Sequence, residues 1–175
     1  MIFKGTQQYP AILERVASEM AQLRTKLSAD VYSVGSEGYR GKQENNISYL
    51  GILGELVAQN FLIENNIPFE SALIVDTQPL PEPDITIDGI KMDVKAVKPN
   101  TYDLYVNYKA HLNEKKKCEF YWFVKLEDNH KASHYLASYS EVNNWTVKEL
   151  RYTKAFVNKI KRNHTQHENN GVFTS

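Results

Sequence analysis

The chain has 175 residues, of which 42% are hydrophobic and 24% are charged, and it contains one cysteine. These proportions are typical of a single globular domain and exclude a disordered chain, a collagen-like repeat and a disulfide-stapled scaffold. No apolar run is long enough for a membrane span and no signal peptide opens the sequence, so we expect a cytoplasmic protein without a membrane partner.

The charges balance overall but are unevenly distributed. The chain has 21 basic and 21 acidic side chains, yet residues 1–90 carry 6 basic and 12 acidic ones. The remainder is therefore basic, with an excess between residues 148 and 162. Such an asymmetry indicates a polyanionic partner, although a mixed solvated surface would also account for it.

The N-terminal part predicts a helix followed by a loop. Apolar residues at helical spacing predict a helix over 10–27, which either packs on the core or forms a dimer contact. The polar, glycine-rich stretch 33–46 predicts a loop. Its Arg40 and Lys42 could contact a phosphate backbone, and a plain surface loop is the alternative interpretation.

The next segment predicts a buried helix and then a strand. Residues 48–64 are apolar on nearly all sides, which is typical of a helix inside the core. Gly51 and Gly54 would let another element approach the backbone of that helix. The run 67–75 predicts a strand, and the proline-rich stretch 76–83 predicts a connector.

A hairpin is predicted over residues 83–97. Asp88-Gly89 is a strong two-residue turn signal between arms of alternating polarity. With these two residues in the turn, alternation puts one set of side chains on an apolar face that we expect to meet the core. That set is Ile85, Ile87, Ile90, Met92, Val94 and Ala96.

The same register brings two carboxylates together on the other face. Asp84 lies directly across from Asp93, roughly 5 Å apart at Cβ, and like charges in that position are destabilising. A shared proton, a cation such as Mg²⁺ or the nearby Lys95 would offset the repulsion. Glu55, inside the apolar helix, likewise needs a basic partner, an N-cap or a metal.

Residues beyond the hairpin predict further strands and helices. Asn107 suits the N-cap of a short helix that ends near residue 117. The aromatic run 118–126 and the segment 135–139 predict strands. Residues 142–160 are predicted to end in a basic helix, and the tail from residue 163 is expected to be frayed.

The hairpin motif resembles that of the PD-(D/E)xK nuclease superfamily. It consists of Pro83-Asp84, eight further residues and then Asp93-Val94-Lys95. Glu55 is similar to the acidic residue that many members carry in an upstream helix. The resemblance implies an α/β, restriction-endonuclease-like core, with a small mixed β-sheet flanked by helices. The whole chain would be one nuclease domain.

The expected domain has three parts. Residues 1–47 would be an N-terminal helical and loop extension, 48–126 the catalytic core, and 127–175 a C-terminal strand and basic helix.

The resemblance also implies roles for individual residues. Asp84 and Asp93 would bind Mg²⁺, for which Mn²⁺ could substitute, together with the Val94 carbonyl and Glu55 directly or through water. Lys95 would position or deprotonate the attacking water. The implied activity is that of a metal-dependent deoxyribonuclease, an endonuclease of restriction, repair or phage type.

DNA is the expected partner. Lys91, Asn107 and His111 near the site, and Arg40 and Lys42 in the loop, are the predicted nucleic-acid contacts. A homodimer would let two sites cut two strands. The alternative function is that of a non-catalytic nucleic-acid-binding or assembly protein on the same fold.

Overall fold

The computed structural model describes residues 5–31, 42–72, 83–150 and 153–160. The strands are β1 (Gly5–Gln8), β2 (Glu70–Ser71), β3 (Ile85–Ile87), β4 (Ile90–Val97), β5 (Asp103–Asn107), β6 (Phe120–Glu127), β7 (Lys131–Ser138), β8 (Thr146–Glu149) and β9 (Lys154–Lys159). The helices are α1 (Ile12–Val31), α2 (Lys42–Glu64), α3 (Tyr108–His111) and α4 (Tyr139–Val142), and a 3₁₀ turn covers Glu114–Lys116. In these parts of the chain, no helix has the length and apolarity that a membrane crossing requires.

Both long predicted helices are confirmed, with different bounds. Helix α1 runs on to Val31, and α2 begins at Lys42 rather than near residue 48. The predicted loop over 33–46 is therefore wrong for residues 42–46, because Lys, Gln and Glu are strong helix formers and no glycine follows Gly41 there. The rest of that loop, including Arg40, lies outside the described residues.

The larger sheet has six strands in the order β1-β7-β6-β4-β3-β2. Strands β4 and β6 run parallel, and the other neighbours are antiparallel. Helices α1 and α2 pack together, and α2 lies on β4. Between helices and sheet lies a core that includes Ala17, Ile52, Val57, Met92 and Trp122. The sheet is mixed, which confirms the α/β class.

A smaller antiparallel sheet, in the order β5-β9-β8, accompanies the larger one. A second apolar cluster joins them: Val97, Tyr121 and Phe123 of the larger sheet meet Val106 and Phe156 of the smaller one. The predicted basic helix within 142–160 is wrong, because this segment forms β8 and β9. Strand β9 pairs with β5, about fifty residues earlier, and that long-range pairing overrides local propensity.

Other predictions are confirmed in part. The strands predicted at 118–126 and 135–139 correspond to β6 and β7, although β7 already begins at Lys131. The helix expected up to residue 117 is shorter, since α3 ends at His111 and a separate 3₁₀ turn follows. Of the strand predicted at 67–75, only Glu70–Ser71 is paired among the described residues. Residues 73–75 and the connector predicted at 76–83, apart from Pro83, lie outside them.

Candidate active site

The predicted hairpin turn is confirmed. Asp88 and Gly89 both have positive φ, at 50° and 78°, as a type I′ turn between right-twisted strands requires. The strands pair Thr86 with Lys91 and Ile85 with Met92, which is the register expected from the sequence. The apolar face is buried at Ile85, Ile87, Met92 and Val94, whereas Ile90, beside the turn, is exposed.

The two aspartates of the hairpin lie together on its polar side. The Oδ2 atom of Asp84 accepts a hydrogen bond from the backbone N–H of Val94, at 2.6 Å. The Oδ2 atom of Asp93 lies 2.5 Å from Nζ of Lys95. Lys95 is therefore the counterion of Asp93, and the side chains of this pair are only 35% and 28% exposed.

Helix α2 brings Glu55 to this pair because it approaches β4 closely. A Cβ atom added to Gly54 would lie 2.9 Å from Cβ of Ala96, so only glycine permits this distance. The predicted role of Gly54 is thus confirmed, whereas nothing lies within 4 Å of a Cβ added to Gly51. The residue after Gly54 is Glu55, which is carried to the carboxylates of the hairpin.

The electrostatics place Glu55 within reach of the hairpin charges. Burial, followed by the charge of the Asp84 carboxylate, raises the pKa of Glu55 to about 8, and the charge of Asp93 acts in the same direction. The positive charges of Arg24 and Lys95 act in the opposite direction. The structure therefore brings together the four residues for which the resemblance implies catalytic roles.

The other two charged groups of the cluster are perturbed as well. Burial, followed by the Asp93 carboxylate, raises the pKa of Asp84 to about 6. Desolvation acts to lower the pKa of Lys95, but Asp93 and Asp84 outweigh it, and the net direction is upward. Asp84 and Asp93 thus share one lysine, and a cation bound beside them would favour loss of the Glu55 proton.

The oxygen ligands that these side chains offer are of the type that Mg²⁺ prefers. Asp84, Asp93 and Glu55 offer carboxylate oxygens, the ligands that this hard cation prefers. Across the described ranges, however, no three Asp, Glu, His or Cys side chains are arranged to hold a metal together. Asp93 is engaged by Lys95, and the backbone of Val94 is tied to the site by its N–H; a role for the Val94 carbonyl stays a prediction.

Two of the predicted nucleic-acid contacts have structural roles. Asn107 is the N-cap of α3, and its Oδ1 accepts from the N–H of Ala110 at 3.0 Å. His111 is buried, with Nδ1 2.8 Å from the Tyr121 hydroxyl and Nε2 3.0 Å from Oδ1 of Asn143. A buried ring with both nitrogens engaged cannot contact DNA, so the prediction for His111 is corrected.

The remaining basic candidates differ in how well they are placed. Lys91 is exposed two residues before Asp93, on the polar side of β4. Lys42 is the first residue of α2, but its side chain is outside what the structure describes, as is all of Arg40.

Arg24 is the charged group near the site that the sequence analysis missed. Of the apolar residues whose spacing predicts α1, Leu13 and Met20 pack on the core, whereas Ile12 and Leu23 are exposed. The face that packs inward also carries Ala17 and Ala21, both fully buried. Arg24 follows Ala21 by three residues on that face, and small alanines at helical spacing were the signal that could have revealed it.

Comparison of the sequence with protein-family models and with curated proteins finds no match. A functional assignment therefore depends on the chemistry of the site.

Proposed function

We propose that the protein is a metal-dependent deoxyribonuclease with a restriction-endonuclease-like core, which hydrolyses phosphodiester bonds internally in DNA. The observation that carries the proposal is the cluster of Glu55, Asp84, Asp93 and Lys95, assembled from one hairpin and one buried helix. We define these four residues as the acidic–lysine cluster.

The energetics of the cluster support a functional role. Partly buried carboxylates with one lysine between them are costly, because burial disfavours charge and the acids repel one another. Perturbed groups that converge in this way are more frequent at functional sites than elsewhere on a protein. A bound divalent cation would offset the repulsion that the protein alone leaves in place.

The residues of the acidic–lysine cluster would have different roles in the reaction. Asp84 and Asp93 would hold Mg²⁺, with Glu55 and the Val94 carbonyl as further oxygen donors. When bound, the ion supplies a water of lowered pKa and stabilises negative charge on the phosphate. Lys95, held beside Asp93, would donate hydrogen bonds to the attacking water or to a phosphate oxygen.

DNA binding would use basic groups around the cluster. Lys91 is exposed on the same polar side of β4, and Arg40 and Lys42 remain predicted contacts. The smaller sheet carries exposed lysines at Lys148 in β8 and, at the two ends of β9, at Lys154 and Lys159. Affinity should then fall steeply with salt, because phosphate contacts release counterions. A homodimer and a cytoplasmic location remain predictions.

One observation favours the alternative of a non-catalytic nucleic-acid-binding or assembly protein. Asp93 already has a cationic partner in Lys95, and no three-ligand metal set is preformed in the described residues. Under this alternative the acidic–lysine cluster would be an internal ion-pair network. DNA binding would then be indifferent to divalent metal.

Cleavage assays separate the two functions. Supercoiled, linear and branched DNA would be incubated with wild type, Asp93→Asn and Lys95→Ala, in Mg²⁺, Mn²⁺ or chelator. Asp88→Asn is the matched control, because it removes a carboxylate from the turn and asparagine tolerates positive φ.

We expect metal-dependent cleavage by wild type and Asp88→Asn and none by the other two variants. Mg²⁺ should also raise the melting temperature of the wild type, because a ligand that binds only the folded state stabilises it. Cleavage that survives both site substitutions would refute the assignment. DNA binding in chelator without any cleavage would support the alternative.

A further inference from the structure

A cavity of about 350 Å³ opens at the carboxyl ends of the two parallel strands, and we call it the strand-end cavity. Pro99, two residues beyond β4, lines it, and so do Leu126 and Glu127 at the end of β6. The described residues that line it include none of the acidic–lysine cluster. Ligands of α/β sheets preferentially bind outside the carboxyl ends of parallel strands. The position of the cavity therefore suits a ligand-binding site.

The floor of the strand-end cavity is apolar. Leu53 and Leu126 are buried there, and Leu50 packs against the same core. Tyr49, which is half-buried, lines the cavity one turn before Leu53 on α2. The volume of the cavity lies near the lower end of the range for small-molecule sites, which have largely apolar linings. An apolar floor of this size favours a ligand with a small apolar body.

One wall of the cavity is a hydrogen-bonded group from three parts of the chain. Oε1 of Glu14, in α1, accepts from the Tyr9 hydroxyl at 3.1 Å and lies 2.9 Å from Nδ1 of His130. The backbone N–H of Tyr9 donates to the His130 carbonyl at 2.8 Å, and the two rings make an edge-to-face contact. The carboxylate of Glu14 is thus held in place, although its side chain is 38% exposed. A preorganised acceptor of this kind loses little freedom when a ligand binds.

The charges that line the strand-end cavity are mainly negative. The described lining residues include no lysine or arginine, but they include three carboxylates, those of Glu14, Glu127 and Asp128. Glu127 already has a cationic partner, since Oε1 lies 3.3 Å from Nζ of Lys125. The carboxylate of Glu14 is bonded to a phenol and an imidazole instead, and Asp128 is exposed in the same turn as His130. Negative charge at the rim repels a phosphate and attracts an ammonium or guanidinium group.

We propose that the strand-end cavity binds a small organic cation, with its apolar body on the leucine floor and its ammonium or guanidinium group on the carboxylate of Glu14. The cation would donate a charge-assisted hydrogen bond to Glu14, and Asp128 would add attraction at the rim. Tyr9 and Tyr49 line the same cavity, and the faces of tyrosine rings attract cations. The inference goes beyond the proposed nuclease function and does not depend on it.

Three ligands of similar shape test which charge the cavity selects. Benzylamine, benzyl alcohol and benzoate share an apolar ring and carry a positive charge, no charge and a negative charge. Their binding to the full chain would be measured by isothermal titration calorimetry and by amide chemical shifts in NMR spectra. We expect benzylamine to bind and to shift the amide signals of residues 126–130. Benzyl alcohol should bind about tenfold more weakly, and benzoate should not bind.

Substitutions in the protein locate the bound amine. Glu14→Gln removes a charge but keeps an oxygen that can accept from the Tyr9 hydroxyl, and Glu19→Gln is the matched control on the exposed face of the same helix. We expect the Kd of benzylamine to rise about tenfold in Glu14→Gln, because a charge-assisted hydrogen bond is lost, and to stay unchanged in Glu19→Gln.

A charge reversal at the rim gives a second test that does not disturb the core. Asp128 is exposed in the turn between β6 and β7, so Asp128→Lys should fold as wild type does. We expect this variant to raise the Kd of benzylamine about threefold or more, because an attraction is replaced by a repulsion. The melting temperature of each variant would show that it is folded.

Asp93→Asn controls for binding of the amine to the other group of carboxylates. Retained binding in Asp93→Asn, together with weakened binding in Glu14→Gln, would support the strand-end cavity. The reverse pattern would assign the amine to the acidic–lysine cluster and overturn the inference. Equal affinity for all three ligands, or no binding of benzylamine at millimolar concentrations, would overturn it as well. These measurements need no DNA, so their failure and the failure of the proposed function are distinguishable.

Discussion

Two glycines one turn apart in α2 allow a direct test of how Glu55 is positioned. A Cβ atom added to Gly54 would meet Cβ of Ala96 at 2.9 Å and its Cα at 3.3 Å. A Cβ atom added to Gly51 would meet nothing within 4 Å. Replacing each by alanine therefore adds the same methyl group to the same helix, in a tight site and in an open one.

The expected magnitudes follow from these distances. Either change gains about 1 kcal/mol of helix propensity, because glycine is a poor helix former. At Gly54 the carbon atoms must also separate by about 0.6–1 Å to reach an ordinary contact of 3.5–4.0 Å, and such overpacking costs about 1–3 kcal/mol. Gly51→Ala should thus stabilise the protein by about 1 kcal/mol, whereas Gly54→Ala should be neutral or destabilising by up to about 2 kcal/mol.

Urea unfolding of the two variants would measure the difference. Because the propensity gain cancels between them, the difference in unfolding free energy reports the overpacking at Ala96 directly. Displacement of α2 from β4 also moves Glu55, so we expect slower cleavage by Gly54→Ala than by Gly51→Ala. Equal stabilisation by both substitutions would show that α2 does not approach β4 this closely, and the account of how Glu55 is placed would fail.

Two further predictions concern a buried histidine and a helix cap. Burial lowers the pKa of His134 to about 4, so the ring is neutral at pH 7. Its Nδ1 accepts a hydrogen bond from Nε1 of Trp122, and its Nε2 lies 3.1 Å from Oε1 of Gln7. Because the unfolded state binds the proton more tightly, the unfolding free energy should fall by about 2 kcal/mol between pH 7 and pH 5. Urea titrations at both values would test this, and an equal loss in His134→Gln would assign the effect to another group. Asn107→Ala should cost about 1 kcal/mol through loss of the cap on Ala110, with unchanged DNA affinity; an unchanged urea midpoint, or weaker binding, would contradict the capping role.

The polar side of the hairpin could be predicted from the sequence because its determinants are local. The turn residues Asp88 and Gly89 fix the positive φ values, and period-two alternation then fixes which side chains share a face. Asp84, Asp93 and Lys95 follow from that register without any knowledge of the rest of the fold. The cap at Asn107 was predictable for the same reason, since it depends on the next three residues only.

The small sheet and the surroundings of His111 could not be predicted in this way. Strand β9 is held by pairing with β5, and nothing in the residues of either strand identifies the other as its partner. His111 follows Asn107 by four residues and was predicted to contact DNA with it, yet Tyr121 and Asn143 from distant segments enclose its ring. The residues of a short segment do not show which distant strand it pairs with or which distant side chains cover it.

The sequence by itself determined the chemistry of the candidate site and the part of its geometry that lies within one hairpin. Only the tertiary structure decided that Glu55 joins that hairpin and that Arg24 accompanies it. The physical reason is that both depend on how helices pack on one another and on a sheet. The absent side chain of Gly54 lets α2 rest on Ala96, and the small buried alanines of α1 let that helix pack closely enough for the charge of Arg24 to act on Glu55.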